Sequence, residues 1–385
     1  MDKAPESSFF SKLGLFALGA FALCIFLGKF ALYGANGLPK PSVNKAVYDV
    51  HIVGESVGAD YAALQLLYGG QGAYEPENQT VFAQNDMKAQ MPYLSSLSPV
   101  AAFLLKPFKV LPYANFSAQW LIAGIFAYAL AMYALAPLKK SVFFLFVTPS
   151  LTLSAVSGGW GLFLTCAVVL TLFLNPGKKR TIGFFAGMTA CSFPAFCAVT
   201  AVLIARKQLK SAILGLLFAL LLTAGALSAF PVDAFAQSVA ASFEACARAP
   251  ALYASVFSVL LLNGAPVWAA AAAQTAVIAA VVYFAVRLWR KRAPDSIFGA
   301  YVCLVLPLIY WNALPSDYAL TMAGCVVLWR ELARTMPSDE IKTLLIFALI
   351  LPFFDALFVQ NAGVSVLPVI AGATGCACVQ KSLPV

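Results

Sequence analysis

The chain has 385 residues, 62% of them hydrophobic and 11% charged, with a formal charge of +9 and a mean hydropathy of +0.85. Soluble domains hold roughly 45–50% apolar and about 25% charged residues, so this composition excludes a soluble enzyme, a disordered chain and a disulfide-framed secreted domain. What remains is an all-α, polytopic transmembrane helical bundle, because a helix satisfies its own backbone in lipid.

The basic excess does not call for nucleic acid. It stands in short clusters between apolar runs, as topology signals do. Nine cysteines and one histidine bound the chemistry further. With His51 the only imidazole, no His-based metal site or His-driven triad can be built. Cys376 and Cys378 have neither the spacing nor the company of a zinc site.

In chain order, the apolar run 13–33 is long enough to span a bilayer at roughly 20 residues per crossing. It lacks a small-residue cleavage site and reads as a retained anchor. Residues 34–92 form the only long polar segment, with three lysines against six acidic residues, and are expected outside the cytoplasm. Within them, Gly58 to Gly70 reads as a short amphipathic helix with Asp60 in its first turn, where a carboxylate suits the dipole. A helix-start aspartate is therefore the plainest account of Asp60.

Beyond that segment, basic clips at 139–140, 178–180, 206–210, 290–292 and 330–334 mark cytoplasmic turns. Residues 141–175 read as two short spans turning at 157–160. Residues 181–205 have basic flanks and Pro194 near their middle. They are either one span, with one clip outside, or a hairpin of two half-helices reaching a cavity. Residues 93–112, where Lys106 and Lys109 flank Pro107, pose the same parity problem.

Later spans are expected at 211–230, 267–288, 297–311, 318–329, 343–358 and 364–379, with a second outside loop at 231–266. The chain is thus one integral membrane domain, 1–385, of roughly 11–13 membrane segments. The halves lack the matching interruptions of an inverted-repeat carrier, which weighs against a lipid or solute transporter.

At Gly58-Ala59-Asp60-Tyr61, Gly70, Gly72-Ala73-Tyr74-Glu75-Pro76, Pro92-Tyr93 and Ser98-Pro99, the chain resembles the polytopic glycosyltransferases of family 87, in the GT-C superfamily. Leu104-Leu105-Lys106-Pro107, Leu111-Pro112, Tyr253 to Phe257 and Pro307 through Asp317-Tyr318-Ala319-Leu320 continue the resemblance. It implies a multi-pass protein of the cell (inner) membrane. This protein would move a hexose such as mannose from a polyprenyl-phosphate donor to a lipid-linked or cell-envelope glycan at the extracytoplasmic face, with inversion.

The resemblance makes Asp60 the catalytic base, since an attacking hydroxyl must lose its proton. It implies no metal and no cofactor; the partners are membrane lipids, the donor and the glycan acceptor. Arg248, the sole basic residue of the second loop, is the candidate phosphate partner. Tyr61, Tyr74, Tyr93, Ser255 and Asp317 complete the expected substrate site. Each has a plainer reading, as interfacial tyrosine or helix cap.

Two departures stand out. Ser192-Phe193-Pro194-Ala195 replaces a Lys-Pro-Gln-like tip, and Gly158-Gly159-Trp160 replaces Gly-Gln-Asn-like residues. The lost lysine removes a phosphate partner. A non-catalytic relative that binds lipid-linked sugar is the competing function.

Overall fold

The computed structural model describes residues 55–87, 95–135, 160–250, 253–335, 343–345, 348, 351 and 355–382. The expected anchor at 13–33, most of the hairpin before Trp160, His51 and Tyr93 lie outside them. Among the described residues the chain is all helical, without strands.

The long polar segment carries α1 (Glu55–Tyr68) and α2 (Pro76–Asn85), followed by short α3 (Pro99–Leu104) and long α4 (Tyr113–Leu135). Then come α5 (Gly161–Phe173), α6 (Lys179–Met188), α7 (Phe193–Ala205), α8 (Leu209–Ala229) and α9 (Asp233–Arg248). The chain continues through α10 (Val256–Leu262), α11 (Val267–Arg290), α12 (Asp295–Val305), α13 (Ala319–Thr335), α14 (Asp355–Ala362) and α15 (Leu367–Ser382). Three of these, α4, α8 and α11, are long and apolar enough to cross a membrane; four shorter apolar helices accompany them.

Residues 93–112 do not form a span. Pro99 starts a six-residue helix on the Ser98 cap, a 3-10 turn follows at Lys106–Phe108, and α4 begins only at Tyr113. The segment 181–205 takes the hairpin form. Gly183 packs against Ser211 and Leu214, and Gly187 against Gly215 and Phe218, so α6 and α8 run in the same direction. Helix α7 must then return between them. At 1.5 Å per residue, α6 is about 15 Å long and α8 about 31 Å, so the tip at Thr189–Ser192 stops partway along α8. The small residues at 183, 187 and 215 let the two backbones approach, the contact that replaces hydrophobic drive between helices in lipid.

Basic residues gather at one end of the bundle. There Arg330 donates to the Leu135 carbonyl at the end of α4, and Arg206 at the end of α7 donates to the Leu172 carbonyl at the end of α5. From this end α5 leads back to Gly161 and α12 to Tyr310, and α13 starts beside them at Ala319. Three apolar clusters result, the smallest of them around Cys246, Tyr253 and Phe257. Of the larger two, one holds α4, α5, α7, α12 and α13 together, and the other joins α1 and α3 to the far ends of α4, α8 and α9. Toward the far end of α12, buried Asp355 accepts from Ser365 Oγ (2.9 Å) and Val366 N (2.6 Å), tying α14 to the start of α15.

Candidate functional site

Helix α1 is already formed at Glu55, so Asp60 sits in its second turn. The helix-start account of this aspartate therefore fails, because the dipole effect fades within the first turn. The helix is also not amphipathic: nearly every residue from Ser56 to Leu66 is buried, with Asp60 itself half-buried. A carboxylate in such a helix needs a partner, and it has one in Ser95, whose Oγ donates to Asp60 Oδ1 at 2.7 Å.

Ser95 is itself fixed. The buried Gln79 side chain accepts from Ser95 N (2.7 Å) and donates to Ser95 O (3.2 Å), while Leu97 N donates to Ser95 Oγ (3.0 Å). Gln79 also donates to Ala73 O (2.6 Å), and Tyr74 donates to Leu97 O (2.7 Å). The polar segment after α1 thus closes over Asp60 as one hydrogen-bonded lid.

The floor comes from three distant stretches. Ser98 donates to the Cys191 carbonyl at the hairpin tip (3.0 Å), and the hydroxyls of Ser192 and Tyr310 are 3.2 Å apart. Asn312 donates to Ser96 Oγ (3.0 Å). Asp317 Oδ2 accepts from Leu314 N (2.8 Å) in the turn that follows, and the start of α5 at Gly161 lies directly against the Ser316–Asp317 backbone. Ala254 N donates to Ala313 O (2.7 Å), which joins the 253–258 segment to the same turn.

Burial dominates the electrostatics. It raises Asp60 from 3.8 to about 7, against the lowering effect of the Ser95 hydrogen bond and with a further push from the charge on Asp317. Asp317 is raised by burial to about 6, offset by its bond from Leu314. The charge on Asp317 opposes ionisation of Asp60. Burial first, and then the Asp60 charge, raise Tyr74, while burial, then Cys246 and then Asp60 raise Tyr253. Among the described residues no cation figures in the environment of either carboxyl. Ser95→Ala is expected to carry Asp60 above 7, and any proton transfer to Asp60 would then show its acid limb displaced to higher pH in a rate profile.

The expected site residues divide. Asp60, Tyr74 and Asp317 come together. Tyr61 does not join them: its hydroxyl donates to Leu111 O (2.8 Å), and its ring packs on Tyr113 and Phe116. Ser255 caps α10 with Ser258 in a reciprocal pair, buried. Arg248 is 58% exposed and pairs with Glu244 one turn back. Tyr93 lies outside the described residues. Phe193 is exposed beside the hairpin tip.

Ser95, Gln79, Ser192 and Tyr310 join the site although none was among the expected site residues. No local pattern marks Gln79. The other three act through contacts that only folding creates.

Among the described residues, no three of His, Cys, Asp and Glu gather as metal ligands. The groups gathered around Asp60 are a second acidic side chain, hydroxyls and tyrosines, a set suited to moving a proton and holding a polyhydroxyl molecule. No curated protein and no solved structure matches the chain. The family model for glycosyltransferase family 87 matches residues 98–310, more than half of the chain; Asp60 and Asp317 flank that stretch. The hairpin tip, the 253–258 segment and Tyr310 all fall inside it, and the chain is a membrane glycosyltransferase that belongs to glycosyltransferase family 87.

Proposed function

We propose that the protein moves a hexose, such as mannose, from a polyprenyl phosphate to a lipid-linked or cell-envelope glycan, with Asp60 as general base. The observation that carries this reading is the Ser95-anchored Asp60 carboxyl, held near neutral titration under a lid and over the hairpin tip. A base is most effective when its pKa lies near the working pH. The acceptor hydroxyl oxygen attacks the anomeric carbon and gives its proton to Asp60. The bond from that carbon to the phosphate oxygen breaks on the opposite face, and the polyprenyl phosphate leaves with the electron pair. The anomeric configuration inverts in the single displacement.

Tyr74 and Asp317 border the sugar in this reading. Arg248 is the candidate for the leaving phosphate. Its exposed pair with Glu244 is an i,i+4 contact of about 0.3–0.5 kcal/mol, weak enough to exchange for a doubly charged phosphate. The basic end of the bundle obeys the positive-inside rule if it faces the cytoplasm. The Asp60 site, at the far ends of α5, α12 and the hairpin, would then face the extracytoplasmic side of the cell (inner) membrane.

Purified protein in proteoliposomes, supplied with a labelled polyprenyl-phosphate hexose and an envelope glycolipid extract, is expected to give a labelled glycolipid. The same hexose on a nucleotide is expected to give none. Transfer from the nucleotide donor alone would overturn the donor assignment.

A further inference from the structure

A cavity of about 610 Å³ lies at the basic end of the bundle, away from Asp60. Its wall joins the C-terminal ends of α7 and α11 to the start of α12 and includes Arg206, Lys207, Trp289, Arg290, Arg292 and Asp295. Four cations therefore face one carboxylate.

Arg206 and Asp295 are committed to the fold. The Arg206 side chain is 5% exposed, donates to Leu172 O (2.6 Å) and the Asp295 carbonyl, and pairs with the Asp295 carboxylate at 3.5 Å. Lys207, Arg290 and Arg292 are exposed and have no acidic partner among the described residues.

The backbone singles out the same place. Lys207 (φ 57°) and Arg292 (φ 55°) are the two non-glycine residues with left-handed backbone among the described residues. Each directly follows a helix end closed by a 6→1 hydrogen bond, Gln208 N to Leu203 O and Ala293 N to Leu288 O. That position ordinarily selects glycine. A cation is favourable in a last helical turn, but α11 already carries Arg287 and Arg290 there. Membrane topology accounts for cations at this end. It does not account for two of them occupying glycine positions on the wall of one cavity.

We propose that this cavity binds a phosphate-bearing anion, gripped by Lys207, Arg290 and Arg292. Guanidinium groups match phosphate oxygens in pairs. The surroundings favour the phosphate of an anionic phospholipid over a free one. Trp289 is 53% exposed at the end of a membrane-length helix, and exposed Val286 and Val282 continue one face of α11 away from it. That face suits an acyl chain, and the cavity suits its headgroup.

The test compares the full chain with the double variant Lys207→Gly/Arg292→Gly in phosphatidylcholine nanodiscs, with and without phosphatidylglycerol, counting retained anionic lipid by native mass spectrometry. Glycine suits both backbone positions, so the variant should keep the wild-type thermal midpoint in neutral lipid or exceed it. Its phosphatidylglycerol binding should fall about 30-fold. Glycerol phosphate in neutral nanodiscs separates the two sources. A protein that responds only to the lipid assigns the site to a headgroup, and one that also responds to glycerol phosphate assigns it to a free phosphate compound. Equal lipid binding by the variant and the wild type, or no response to either anion, would overturn the proposal.

Discussion

Gly161→Ala is expected to lower the thermal midpoint and to cut transfer by about 10²-fold. A Cβ at this position would lie 2.7 Å from Asp317 N and closer still to the Ser316 carbonyl. These are backbone atoms in a turn pinned by the Asp317–Leu314 hydrogen bond, so no side chain can rotate aside. Overpacking of this kind costs about 1–3 kcal/mol. The activity loss follows from geometry: a displacement of about 1 Å at a positioned group is enough for a loss of about 10²-fold, and the displaced turn carries Asp317. Gly372→Ala in α15 is the control, because nothing lies within 4 Å of its added Cβ; it should be neutral or slightly stabilising. Detergent-extracted protein followed by thermal unfolding and by labelled transfer reads both effects. A Gly161→Ala protein with wild-type midpoint and rate would mean that α5 does not support the Asp317 turn.

Asp60→Asn is expected to have effects of opposite sign on activity and stability. Loss of a general base costs about 10²–10⁴-fold in rate. The stability change follows from the titration. Folded Asp60 holds its proton up to about 7, whereas an unfolded aspartate releases it near 3.8. Stability is therefore fullest below about 4 and declines as pH rises toward 7, where the buried carboxyl must ionise. At pH 8 the charge costs on the order of 2–4 kcal/mol. Asparagine removes the charge while its carbonyl oxygen still accepts from Ser95. The variant should thus unfold at higher temperature than wild type at pH 8 and match it at pH 4.

Much of the scaffold was legible in the apolar runs. Spans α8 and α11 lie where unbroken hydrophobic stretches of membrane length predict them, and the Pro194 interruption between basic flanks left a single span or a hairpin open, of which the hairpin forms. Around Pro107 the alternatives stayed open because a short helix capped by Ser98 has the same composition as part of a span. Asp60 could be singled out only through the family resemblance, since residue type and position alone gave a helix-start aspartate. Its environment was not legible.

The partner Ser95 is 35 positions away and is aimed by Gln79, which no local pattern marks. Tyr61 and Ser255 were expected ligand contacts through the family resemblance, but folding commits the Tyr61 hydroxyl to the Leu111 carbonyl and Ser255 to the cap of α10. Arg248 was singled out because its loop holds no other cation, and the fold gives that cation a carboxylate one helical turn away. Where chemistry depends on which groups meet, the sequence supplied candidates and the tertiary hydrogen bonds sorted them.

The most direct test of Asp60 as the base is the pH dependence of kcat/KM, from pH 5 to 9, for wild type and Asp60→Asn with a labelled polyprenyl-phosphate hexose. Wild type should rise through an acid limb near 7. The variant should be lower by about 10²–10⁴-fold and show no such limb. An Asp60→Asn enzyme with wild-type rates and the same limb would contradict the account and remove Asp60 from the chemistry.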